Sequence, residues 1–167
     1  TQHTEPDLDD AEAQDGWFEE YCWLSNKRDY PALVKLCAAM VDEYPDDLAA
    51  VARLGDAYVL NGEYQRAIDF AAPHLERHPY HGDLQYVILD ALFALGKTED
   101  DFPWDEKPKV LHLTADVLDS CYDYLHPKRK PRTADDLHVR LFIKGYLTFS
   151  RQELLDALRH DSRFVVT

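Results

Sequence analysis

The stretch AAVARLGDAYVLNGEYQRAIDFAAPHLERHPYH, residues 49–81, decides how this chain folds. Val51, Leu54, Tyr58 and Val59 recur at helical intervals behind Asp47, an acceptor suited to a helix N-cap. Asn61-Gly62 is a turn signal, because glycine enters the left-handed region freely. A second periodic run follows in Tyr64, Ala67, Ile68, Phe70, Ala71 and Leu75, and Pro79 ends it. Two amphipathic helices joined by a short turn form an antiparallel hairpin. Neither can bury its apolar stripe alone.

The pattern recurs upstream at an offset of 34 residues. Residues 15–47, DGWFEEYCWLSNKRDYPALVKLCAAMVDEYPDD, place Trp17 on Val51, Tyr30 on Tyr64, Leu33 on Ala67, Cys37 on Ala71 and Pro45 on Pro79. Trp17, Tyr21 and Leu24 make one apolar face, and SNKRDY interrupts it. Pro31 suits the first turn of a second helix carrying Leu33, Val34, Leu36, Cys37, Met40 and Val41. A third copy begins at about Asp83 and keeps Ile88, Leu89, Leu92 and Gly96 in phase. It then departs, with Asp101 and Asp105 at core positions. KTEDDFPWDEKP reads as an inserted loop, at about 97–107, pinned by Phe102 and Trp104.

Leu54-Gly55, Tyr58, Gly62, Tyr64, Ala67 and Pro79 stand at the intervals of a tetratricopeptide repeat, and residues 14–96 resemble that family. The first copy departs from it at Glu20-Tyr21 and Leu24, where the second has Leu54-Gly55 and Tyr58. The resemblance implies an all-α superhelix of antiparallel hairpins, with small residues at Gly55 and Ala67 letting paired helices approach. It also implies that the first helix of each pair lines a concave groove that holds another protein. By phase, the groove positions include Phe18, Asp56, Val59, Asp83, Tyr86, Asp90 and Phe93. Asp56 and Asp90 are equivalent in successive copies, so their carboxylates should project into one groove one repeat apart. Family members that clamp a C-terminal carboxylate use Lys and Asn where this chain has Ala52 and Asp56, then Tyr86 and Asp90. The expected ligand is instead a segment carrying Lys or Arg beside an apolar residue. The competing reading leaves the aspartates solvating an exposed face and the aromatics packed on a C-terminal cap.

Beyond the repeats, a long helix is expected from about Pro108, with Val110, Leu113, Val117, Leu118, Cys121, Tyr122 and Leu125 on one face. HPKRKPR (126–132) is a basic linker. Thr133 with Asp136, and Ser150 with Glu153, have capping-box spacing, predicting helices over 134–144 and 151–160. RFVV (163–166) reads as a short terminal strand. This order resembles a truncated winged helix lacking its hairpin; an irregular helical cap explains it equally. The nucleic-acid alternative would use Lys128, Arg129, Lys130, Arg132 and Arg151. Glu153, Asp156 and Asp161 nearly cancel the arginines beside them, which disfavours it. A third reading is a self-assembling module, with homo-oligomers as the product.

Charge separates the two halves. Residues 1–106 carry 24 acidic and 7 basic side chains, whereas residues 107–167 carry 8 and 11. The acidic half repels phosphate and suits basic partners. Residues 1–15, acidic and poor in large apolar side chains, are expected to be a disordered tail. Hydrophobic residues make up 46% of the chain, enough for a globular core, yet no apolar run approaches the roughly 20 residues that span a bilayer. The N-terminus lacks the basic-then-apolar pattern of a secretory signal. Cys22, Cys37 and Cys121 have no metal or redox spacing, which suggests reduced thiols and a cytoplasmic protein.

Nothing in the sequence forms a catalytic constellation. The cysteines lie at packing positions or without a local His partner, and no glycine-rich phosphate loop occurs. His74 and His78 stand one turn apart, but no further donor completes a zinc set. The reading is therefore a non-catalytic adaptor or scaffold with no metal and no cofactor.

Overall fold

A computed structural model describes residues 8–105, 107–126 and 131–167, with side chains from residue 16 onward. The chain divides into two compact units, Thr1–Asp105 and Glu106–Thr167. It is all-α, with a single two-stranded sheet among the described residues.

The first unit is built from α1 (Leu8–Lys27), α2 (Tyr30–Glu43), α3 (Leu48–Leu60), α4 (Tyr64–Arg77) and α5 (Gly82–Ala94), ending in a 3-10 turn at Glu99–Asp101. Each helix packs on the next, and α3 also packs directly on α5. The core is continuous across these contacts: Leu24, Leu33, Cys37, Val51, Leu54, Tyr58, Ala67, Ala71, Leu75, Leu84, Ile88 and Leu92 are all buried. Asp47 caps α3 by accepting the Ala49 N–H at 3.0 Å. Asp29 caps α2 in the same way, accepting from Ala32 at 3.3 Å.

The 34-residue period is visible in the turns themselves. Arg28, Gly62 and Gly96 all have positive φ, at 58°, 76° and 75°. The N–H groups of Asp29, Glu63 and Lys97 then reach back to the carbonyls of Leu24, Tyr58 and Leu92, at 3.1, 2.8 and 2.9 Å. Each is a helix C-terminus closed by a left-handed residue and a bond from the residue after it. The opposite turns repeat as well: Asp47 N–H donates to Tyr44 and His81 N–H to His78, both at 3.1 Å. The third copy thus keeps the turn geometry although its second helix shrinks to one 3-10 turn. Phe102 is buried there and meets Trp104 edge-on at 5.3 Å, pinning the loop as expected.

The second unit comprises β1 (Val110–Leu111), α6 (Ala115–Leu125), α7 (Ala134–Lys144), β2 (Tyr146–Leu147) and α8 (Arg151–Arg159). The strands pair in parallel, Val110 with Tyr146 and Leu111 with Leu147. Val117, Cys121, Leu137, Leu141, Phe149, Leu154 and Leu158 form its core. Ser150 and Glu153 make a complete capping box at α8, and Thr133 accepts the Asp136 N–H at 3.1 Å to start α7.

Four expectations are corrected. Residues 8–15, expected as tail, belong to α1; Ala11, Glu12, Ala13 and Gln14 favour helix although Leu8 is the one large apolar residue among them. Residues 1–7 lie outside the described residues. The helix expected from Pro108 begins only at Ala115, because Val110 and Leu111 are drawn into the sheet. The terminal segment 163–166 is not a strand; Phe164 and Val166 pack against the core instead, and no hairpin follows α8 among the described residues. Finally, the close approach at Gly55 is to Val87 of α5, in the next hairpin, rather than to its own paired helix.

Candidate functional site

Three of the expected residues come together between α3 and α5. Asp56 is half-buried, one turn beyond Arg53 on α3. Burial, followed by the negative charges of Asp90 and Asp83 on α5, raises its pKa to about 7. Desolvation disfavours the carboxylate, and two further carboxylates add to that effect. The neighbourhood is electronegative and partly withdrawn from water. Tyr86, also on α5, has its hydroxyl pKa raised by burial and then by Asp83.

Two residues that sequence reasoning passed over complete the arrangement. The Arg53 guanidinium lies over the ring of Phe18 at 5.2 Å and over that of Tyr21 at 5.6 Å, tying α1 to α3. Burial, then Asp56, raises the Tyr21 hydroxyl pKa, so Tyr21 stands within electrostatic reach of the carboxylates. Phe18 remains 50% exposed beside the Arg53 guanidinium. The interval of three between Arg53 and Asp56 was legible. Its match to the interval between Phe18 and Tyr21 on α1 is the signal in the sequence that pointed to the arrangement.

Val59 and Phe93 occupy the last turns of α3 and α5, and their carbonyls accept the N–H groups of Gly62 and Gly96, both at 3.0 Å. Both side chains are half-buried. The described residues contain no group of three His, Cys, Asp or Glu arranged to hold a metal ion. His74 packs its ring on Phe70 at 5.4 Å and meets Arg77 at 3.3 Å, as a packing residue would. Burial pushes the Cys37 thiol up to about 11, which leaves it a poor nucleophile.

For the nucleic-acid alternative, Lys128, Arg129 and Lys130 lie outside the described residues. Arg132 is exposed. Arg151 is held by both carboxylate oxygens of Asp135, at 2.9 and 3.0 Å. No described helix is long and apolar enough to cross a membrane. No protein-family model, curated protein or solved structure matches the chain.

Proposed function

We propose that the first unit is a tetratricopeptide-type array working as a non-catalytic protein-binding module, an adaptor or scaffold. Its ligand is a peptide segment presenting Lys or Arg next to an apolar side chain. The observation that carries this reading is the state of Asp56 on α3, where burial first, and then the charges of Asp90 and Asp83 on α5, raise its pKa to about 7. A cationic side chain placed among them would relieve both charge repulsion and desolvation. Phe18 and Tyr86 supply aromatic surface for the neighbouring apolar residue, and aromatic anchors dominate many protein interfaces. The fixed 34-residue turn geometry supports the family assignment.

The test is a peptide array probed with wild-type protein and with Asp56→Lys/Asp90→Lys, both checked for helicity. Selection of Lys- or Arg-containing peptides by wild type, lost in the variant, is the expected result. Equal binding of the same peptides by both proteins would remove the groove. Preference for acidic peptides would reverse its polarity.

A further inference from the structure

The second unit contains a cavity of about 740 Å³, within the roughly 300–1,000 Å³ range of small-molecule sites. It lies among α6, α7, α8 and the segment 163–167. Leu137 and Leu158, both buried, give it a hydrocarbon floor with Leu155 and Phe164. Its rim is polar and asymmetric. His126, Arg132 and the first turn of α7 stand there against one carboxylate, Asp136. The N-terminus of the 11-residue helix α7 adds a partial positive charge, which the Thr133 cap and the first-turn acids Asp135 and Asp136 offset in part.

One wall is held rigidly. Arg163 donates to Asp119 at 2.8 Å and to Asp161 at 2.9 Å, while its guanidinium lies over Tyr122 at 5.1 Å and over Phe164 at 5.6 Å. Its charge is already answered, so it shapes the wall and fixes Phe164. Arg132 is the guanidinium left to meet a ligand at the rim.

We infer that this cavity is a binding site for a single-chain amphiphile with a terminal carboxylate, its hydrocarbon tail on the leucine floor and its head group at Arg132 and the start of α7. A cationic head group would face Arg132 and the helix N-terminus. A fully polar ligand would desolvate against leucines without return. A peptide added as a strand would need a free sheet edge, and neither β1 nor β2 lines the cavity. The site is separate from the acidic face of the first unit and stands or falls independently of it.

The probe is decanoate, compared with decanol and decylamine, titrated into the full chain by calorimetry below their aggregation limits. Saturable binding in the order decanoate, decanol, decylamine is expected. Arg132→Glu should weaken decanoate about tenfold, the loss of one charge-assisted contact, and leave decanol unchanged. Leu155→Trp, which fills the cavity from a partly exposed position, should abolish binding of both, with retained helicity showing that the unit is folded. Equal affinity for the three probes, an unchanged affinity in Leu155→Trp, or no saturable binding would each overturn the proposal.

Discussion

A Cβ atom on Gly55 would stand 2.8 Å from Cγ1 of Val87, inside any distance that carbon atoms tolerate. The two residues are a point of contact between α3 and α5, which joins one hairpin to the next. Gly55→Ala should therefore destabilise the first unit by roughly 1–3 kcal/mol, the usual cost of overpacking, despite alanine's better helix propensity. Val87→Ala in the same chain should recover part of the loss. Urea unfolding of the four members of that cycle measures the coupling directly.

Arg28 holds a left-handed conformation that its equivalents Gly62 and Gly96 adopt without cost. Arg28→Gly should raise the stability of the first unit by about 1 kcal/mol, whereas Gly62→Ala should lower it by a comparable amount. Thermal unfolding of the two variants should move the midpoint in opposite directions.

Asp56 keeps its proton up to about pH 7 in the folded chain. In the unfolded chain it loses it near pH 4, as an ordinary aspartate does, at about 3.9. Between those values the folded form holds the extra proton, so raising the pH from about 4 to about 7 withdraws stability. Above about 7 the carboxyl is ionised in both states and its contribution is flat. Asp56→Asn should remove that decline and stabilise the protein at pH 8 by on the order of 1–3 kcal/mol. Denaturant titrations at pH 5, 6, 7 and 8 (about one-unit steps across the interval) would reveal it. A basic peptide bound there favours the ionised carboxyl, so its affinity should rise with pH through the same window.

At Gly145 an added Cβ would lie 2.5 Å from the Lys109 carbonyl oxygen, which accepts the Tyr146 N–H at 2.8 Å. A methyl group there must push β1 and β2 apart. Gly145→Ala should cost the second unit at least about 2 kcal/mol, because backbone rather than a flexible side chain has to move. Amide exchange at Tyr146 and Thr148 should accelerate in step with the loss.

The hairpins were legible because their signals are local. Periodicity placed α2 to α5, and Asp47, Gly62, Pro45 and Pro79 marked turns within a residue or two. The capping residues Thr133 and Ser150 likewise set the starts of α7 and α8. What escaped depends on partners far along the chain. Val110 and Leu111 continue the apolar pattern of α6, and only Tyr146 and Leu147 make them a strand. The role of Arg53 depends on α1, which brings Phe18 and Tyr21 under its guanidinium. In the candidate site, the positions of Asp56, Asp83 and Asp90 followed from the repeat, but the raised Asp56 pKa required the packed helices.

The parallel pair of β1 and β2 also governs the order of events during folding. Hairpins in the first unit close over a few residues, so each can form early and template the next. Val110 meets Tyr146 only after α6 and α7 have been gathered between them, and the loop entropy of that closure precedes any reward from the contact. The second unit should therefore refold as one slow cooperative step behind a fast, stepwise first unit. Two kinetic phases would then mark the boundary at Asp105 as sharply as the geometry does.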